Sequence, residues 1–598
     1  MGLSEKRMSS PHLPSPPSGA WHPSSRLRGA AAAGLILSTL VPVILVAWDA
    51  WYFLKNMPMW DEFETVLGFI LHVCGSDSTA TAISRFFSAA NEHVMLTSRL
   101  ITVVLYKLTG EVNFVHLAIA GNLFAFLAIL VLGHAARSKW LGMLATAVAS
   151  LLIFQLQNYE NLFSSYASID HFQIVLLTTS CLYFLTRGGG WQAAAAGVLA
   201  TLAVFTLAHG VAVLAAGACA LWLQKRRTAF WLWLGFSALV TGLFLWRLGA
   251  APMVAPPFHG LAGFRAMIVY WLTMLGGIMS LGGRAAAPWA GLVLCVLMVL
   301  LLVLRGNRLD IFLCAVAINA ILACALIAYG RVNFIAVSPL SSRYMVQSAI
   351  AWTACIVLLA SVLPTLRSQV VASVAALMLA ATISASASMK FSEEARRFSH
   401  RRVAAARYFD ENGTFAGIRH PIFPVAEQAD RIVSAARDAG IFRLQPRMSR
   451  RVEPLPSLDP HPLKYYLDKI FVGPRNIHVR GWMLTRQQVS LGLEPYVLLS
   501  QGEKRYLYRG LPDFRPDLAQ AFPDRTDAEF SGFYCVIRRS ELPPGPYKID
   551  LVLMRGRRSF RSPTDHVLQV PAPAPAGDVS ARAGVIVSAG AQNSSGSD

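Results

Sequence analysis

Apolar runs of about twenty residues alternate with short polar breaks from Ala30 to about Ala387, and then the alternation stops. Each such run matches the roughly 17–25 residues an α-helix needs to cross a hydrocarbon core. The pattern therefore predicts a polytopic α-helical membrane protein. The first run, Ala30 to Leu54, is too long for a signal-peptide core and lacks a small-residue cleavage site, so it reads as an uncleaved first span. Residues 1–29, rich in Ser, Pro and basic residues, are expected to be a disordered cytoplasmic N-terminus.

Beyond Ala387 the periodicity changes twice. Residues 388–464 form a helical connector, with Phe391, Ala395, Phe398, Val403, Ala406 and Phe409 at helical spacings. Residues 465–570 carry short alternating segments, among them Ile477–Trp482, Tyr496–Leu499, Phe533–Ile537 and Tyr547–Leu553, parted by turn residues such as Pro543-Pro544-Gly545. A stretch of that size predicts an all-β sandwich domain. Residues 571–598, mainly Ala, Pro, Ser and Gly, read as a disordered tail.

Composition agrees with the pattern. Of 598 residues 55% are hydrophobic and 14% charged, with a mean hydropathy of +0.47. Soluble domains carry about 25% charged residues. The net charge of +20 lies largely in short loops and the polar C-terminal third, which positive-inside sorting and anionic lipid explain without nucleic acid. Six of eight cysteines fall inside apolar runs, and no CxxC metal site or disulfide framework is present.

Charge also orients the spans. The loops 134–139, 224–227, 305–308 and 365–368 are short and basic, so all four belong on the cytoplasmic side. They fall together if the runs 94–109 and 266–283 lie in the interface. The count is then about eleven spans, or up to thirteen if both cross, with the C-terminal domain extracytoplasmic. On that arrangement the polar segments 55–112, 157–170, 209–210, 247–285 and 331–343 share the outer face.

Those segments hold the candidate chemistry. Asp61 and Glu62, in Trp60-Asp61-Glu62-Phe63-Glu64, stand just past the first span, where a partly desolvated carboxylate has raised proton affinity and can act as a base. The same cluster would equally serve as a loop end that keeps the helix from sliding into lipid. Glu92, His93 and Arg99 form a second group suited to a phosphate or to orienting an acid. Asp61, Glu62 and His93 could together hold a divalent cation with substrate phosphate. Arg331 and Arg343 oppose positive-inside sorting, which bidentate binding of a lipid phosphate would explain, as would ion pairs or snorkelling.

Trp60-Asp61-Glu62-Phe63, Asn91-Glu92-His93 with Ser98-Arg99-Leu100, Glu160-Asn161-Leu162, Ala208-His209-Gly210, Gly330-Arg331 and Ser342-Arg343-Tyr344 together resemble bacterial members of the GT-C superfamily, polyprenyl-phosphate-dependent glycosyltransferases. The resemblance spans roughly residues 30–390. It implies a catalytic base at Asp61, with Glu62 as the close alternative, and phosphate-holding arginines at Arg331 or Arg343. Glu92, His93, Arg99, Glu160 and His209 join them as substrate-binding candidates. Two departures stand out: the acidic cluster continues to Glu64, and Val94 follows His93 where this group has Arg. Gly481-Trp482, Arg515-Pro516-Asp517-Leu518-Ala519, Ser531-Gly532-Phe533 and Pro544-Gly545-Pro546-Tyr547 resemble a β-sandwich module attached to bacterial cell-surface glycosyltransferases. Core packing of Trp482, Phe533 and Tyr547, and an ion-pair role for Arg515 and Asp517, are the plainer readings there.

The expected function is thus transfer of a sugar from a polyprenyl-phosphate donor to an envelope glycan, lipid or protein, at the outer face of a bacterial inner membrane. The alternatives are a transporter or flippase of lipid-linked glycans and a non-enzymatic envelope-assembly protein.

Overall fold

A computed structural model describes residues 25–572, apart from 90–92, 137, 250–259, 306–309, 335–337, 364, 419–421, 445–447, 454–457, 459–461, 474–475, 487–492, 514, 526 and 556–557. Residues 1–24 and 573–598, most of the two expected disordered termini, lie outside the described residues. The protein is mostly helical with a C-terminal β-sheet region. Among the described residues seven helices are long and apolar enough to cross a membrane, or eight if the bent pair Lys139–Ile153 and Leu156–Phe163 is one span. This fits a multi-pass membrane protein.

Five further apolar helices are shorter: Phe63–Cys74, Gly190–Val204, Ala208–Leu223, Gly260–Gly276 and Ala287–Val303. Their brevity has a local cause at one place in particular. The apolar run through residue 206 stops in turns, restarts as a 3-10 turn at Ala208–Val211, and only then becomes helix Ala212–Leu223. Run 94–109 is a 14-residue helix, Leu96–Thr109, that is not among the candidate spans. Run 266–283 is split between helix Gly260–Gly276 and the turns that follow it.

Small residues let the spans approach closely. A Cβ at Gly276 would sit 1.9 Å from the Ala287 carbonyl, and one at Gly291 would sit 2.0 Å from that of Leu272. Helices 260–276 and 287–305 therefore cross backbone to backbone, as small-residue interfaces in membranes do.

The change of composition near Ala387 falls inside one continuous helix, Leu366–Asn412. At 1.5 Å per residue its 47 residues extend about 70 Å, more than twice a hydrocarbon core. Thr365 and Ser368 close a reciprocal capping box at its start, and Gly413 ends it at φ 71°, a conformation that favours glycine. Helix Ala426–Asp438 then packs on the segment Phe63–Gly68, where Phe63 meets Phe415 and Phe423.

Among the described residues eight strands follow: β1 (Leu463–Val472), β2 (Asn476–Thr485), β3 (Glu494–Gln501), β4 (Lys504–Arg509), β5 (Leu511–Asp513), β6 (Gly532–Arg538), β7 (Gly545–Arg555) and β8 (Arg558–Val570). They form two antiparallel sheets, ordered β1-β2-β6-β5 and β4-β3-β7-β8. Alternate residues of both feed one buried cluster that includes Ile477, Val479, Val497, Phe533, Tyr547 and Leu551. Phe533 and Tyr547 are thus core, while Trp482 is half-buried against Phe522. Arg515 pairs with both Asp517 and Asp468.

The long helix meets the first sheet through charge. Arg407 Nη1 lies 2.7 Å from Asp513 Oδ2, which Arg480 also contacts at 3.0 Å. Arg397 reaches Glu529 at 2.9 Å. Asp513 is only 2% exposed and Arg407 7%, so truncating the acid takes a buried carboxylate from two arginines at once. Asp513→Ala is expected to cost about 3 kcal/mol. Guanidinium unfolding of the purified chain in detergent checks this; an unchanged midpoint would remove the pair from the joint between helix and sheet.

Candidate functional site

The polar residues singled out in the sequence come together where helices break. Asp61 and Glu62 precede a π-helical segment, Phe63–Gly68, and Asp170 and His171 lie inside a second, Ser168–Phe172. Glu160 sits just past the 60° bend, His209 in the 3-10 turn 208–211, and Arg343 with Tyr344 in the 3-10 turn 342–344. π-Bulges and mid-helix 3-10 turns commonly mark functional positions. Trp60, in the turn before the π-helical segment, and Met95, directly before helix Leu96–Thr109, hold positive φ of 53° and 59°, and non-glycine strain of this kind concentrates at functional sites.

Glu62 is consumed by the fold. Its Oε1 accepts from Ser164 Oγ (2.7 Å), Ser165 Oγ (2.7 Å) and Tyr166 N (3.0 Å). Its Oε2 accepts from Met59 N (2.8 Å) and pairs with Arg402 Nη2 at 2.6 Å. Both side chains are 1% exposed. A carboxylate offers about four lone-pair sites, and here they are filled. Arg402 also donates to the Phe163 carbonyl (2.8 Å) and lies over the Phe398 ring. The first loop, the break between helices Tyr159–Phe163 and Ser165–Ala167, and the long helix are therefore locked at one point.

Asp61 differs. It is half-buried, its backbone carbonyl caps Thr65, and its carboxylate is close enough to Arg343 and Asp170 to act electrostatically on both. Arg343 pairs through Nε with Glu160 Oε2 at 3.2 Å, and Ser341 reaches the same oxygen. Asn161 holds the Ser342 and Arg343 carbonyls, which fixes the arginine-bearing turn. Arg331 lies over the Phe334 ring and interacts with the Tyr344 side chain.

The histidines complete the group. His93 Nδ1 accepts from Ala208 N at 3.1 Å, beside the backbone pairs Met95–Thr206 and Leu96–Phe205. His171 and His209 stack at 6.2 Å with an interplanar angle of 16°, and Tyr344 meets His171 edge-on at 6.1 Å. Both histidines are buried. Among the described residues His171 Nδ1, His209 Nε2 and Asp170 Oδ2 have no hydrogen-bond partner. Buried polar atoms are normally satisfied, so three orphans in one cluster need an explanation.

Arg99 is used differently from the expectation that it binds substrate. Its Nη1 donates to the carbonyls of Arg85, Phe86, Ser88 and Val94, closing the end of helix Thr79–Phe86. Burial lowers its pKa to about 10, which leaves it charged at neutral pH. Glu92 lies outside the described residues. Asp61, Glu62 and His93 do not converge as a cation site: among the described residues no group of three His, Cys, Asp or Glu is placed to hold a metal ion. Glu62 is turned inward to Arg402 instead.

Arg402, Asp170 and His171 were not singled out as site residues from sequence. Arg402 had a signal, since it lies four residues from both Phe398 and Ala406 on the apolar stripe of the connector. Asp170 and His171 had another: ionisable residues inside an apolar span are expensive and usually functional. No family model, curated protein or solved structure matches the chain.

Proposed function

We propose that the protein is a membrane glycosyltransferase that moves a sugar from a polyprenyl-phosphate donor to an envelope glycan, lipid or protein. The observation that carries this reading is the cluster of Asp61, Arg343, Arg331, His171, His209 and His93 at the helix breaks. Asp61 is the base, because Glu62 has no lone pair left for an acceptor proton. Arg331 and Arg343 neutralise the departing lipid phosphate. His171, His209 and Asp170 orient acceptor and sugar hydroxyls through the polar atoms that, among the described residues, lack partners.

In this reading the chain crosses a bacterial inner membrane about eleven times, with its N-terminus cytoplasmic. The two sheets form an extracytoplasmic β-sandwich that presents the acceptor. Purified protein in proteoliposomes, given a radiolabelled polyprenyl-phosphate sugar and envelope extract, is expected to release the label into an acceptor. Movement of the intact lipid across the bilayer without transfer would replace the enzyme reading with a flippase. An alkaline-phosphatase fusion after Ala387 is expected to be active; an inactive fusion would invert the topology.

A further inference from the structure

Away from this cluster, two helical hairpins end side by side. The turn after helix Gln173–Arg187 leads into helix Gly190–Val204, and the turn after helix Ala212–Leu223 leads into helix Arg227–Leu248. Between the two turns lies a cavity of about 720 Å³ walled by Arg187, Gly188, Gly189, Gln224, Lys225 and Arg226. Among the described residues Arg187, Lys225 and Arg226 form no ion pair. The nearest acid in sequence to this wall is Asp310, next to the lining residue Ile311, and it caps its own helix through Leu313 N.

The turns are built to hold those cations in place. Arg226 Nη1 donates to the Leu185 carbonyl (3.0 Å) and to Gln224 Oε1 (3.4 Å). A Cβ on Gly188, whose φ is 77°, would press on that guanidinium at 3.3 Å. Lys225, at φ 58°, is the left-handed cap of helix Ala212–Leu223, fixed by Arg226 N donating back to the Leu221 carbonyl at 3.1 Å. Arg187 lies over the Tyr183 ring at 5.1 Å.

Arg226 also lines a second cavity, of about 560 Å³, that runs between helices 190–204 and 227–248. Its walls are apolar, including Leu185, Val198, Leu202, Leu232, Trp233 and Phe236. Exposed Trp191 and Trp222 stand in the first and last turns of their helices, and exposed Trp231 follows the first turn of helix Arg227–Leu248, as tryptophans do at headgroup level. A cationic cradle joined to an apolar groove at membrane-interface depth matches one ligand chemistry.

We infer that this is a binding site for an anionic phospholipid, with the headgroup phosphate on Arg187, Lys225 and Arg226 and an acyl chain in the groove. Gly197 keeps the groove open, since a Cβ there would already touch Phe236 at 3.6 Å and a longer side chain would fill the space. A free phosphate satisfies the cradle alone and leaves the groove unused. The lipid satisfies both.

Native mass spectrometry of the delipidated full chain in detergent tests this, with phosphatidylglycerol and phosphatidylcholine of the same acyl chains as probes. One phosphatidylglycerol is expected to stay bound under conditions that strip phosphatidylcholine. The triple variant R187Q/K225Q/R226Q should bind phosphatidylglycerol roughly tenfold more weakly or worse. Gly197→Leu, with all three charges intact, should also lose it. Equal retention of both lipids by the wild type overturns the proposal, and so does undiminished binding by Gly197→Leu. Glycerol phosphate displacing the lipid at equal concentration would reduce the site to a phosphate cradle and overturn it too. Should the triple variant fail to fold, the wild-type comparison and Gly197→Leu still decide.

Discussion

Replacing Arg402 with Ala is expected to destabilise the protein by about 3–5 kcal/mol. The reason is what remains behind. Glu62, 1% exposed, would keep its backbone and hydroxyl donors but lose the only cation bonded to it among the described residues. An ionised carboxylate so placed must either stay charged in a low dielectric or take up a proton. The double variant E62Q/R402M keeps the volume, removes both charges and should recover most of the loss, because replacing a whole buried pair is far milder than breaking one. Thermal unfolding of the three proteins in one detergent measures the coupling. If R402A and the double variant melt together with the wild type, the pair is not the lock described here.

Asp61→Asn is expected to lower transfer by roughly 10²- to 10⁴-fold, the usual worth of a positioned general base. It should do so with little change in stability. Unlike Glu62, Asp61 is half-buried, and asparagine keeps both its shape and the backbone carbonyl that accepts from Thr65. The substitution also removes a charge acting on Arg343, so donor affinity is expected to fall as well, but by less than turnover, if the role is catalytic. Initial rates over a range of donor concentrations, in the proteoliposome assay, separate the two. Full transfer by Asp61→Asn would end its assignment as base.

The two neighbouring acids show where sequence reading stops. Asp61 and Glu62 are one residue apart, equally acidic and equally placed after the first span. Nothing in their order says which one turns inward. That depends on Arg402, 340 positions away, and on Ser164, Ser165 and Tyr166 of another helix. Arg99 makes the same point: sequence identified an arginine near the interface, but its use as a carbonyl clamp needed the placement of the carbonyls of Arg85, Phe86, Ser88 and Val94. The strands were legible for the opposite reason. A period of two, with turn residues between runs, is local, and the segments read from it lie within β2, β3, β6 and β7.

The sequence by itself determined the apolar character of the helices, the change to a β region near residue 465, and which polar residues interrupt the apolar runs. Those are properties of composition and period, and burial of apolar surface in lipid or core enforces them wherever the helices pack. Only the tertiary structure decided that the interruptions meet in one place, that the long helix passes unbroken through the compositional boundary, and that one acid pairs with Arg402 while its neighbour faces Arg343. Pairings at such sequence separations follow from how helices cross, and helix crossing depends on close contacts such as Gly276 with Ala287 that no local pattern encodes.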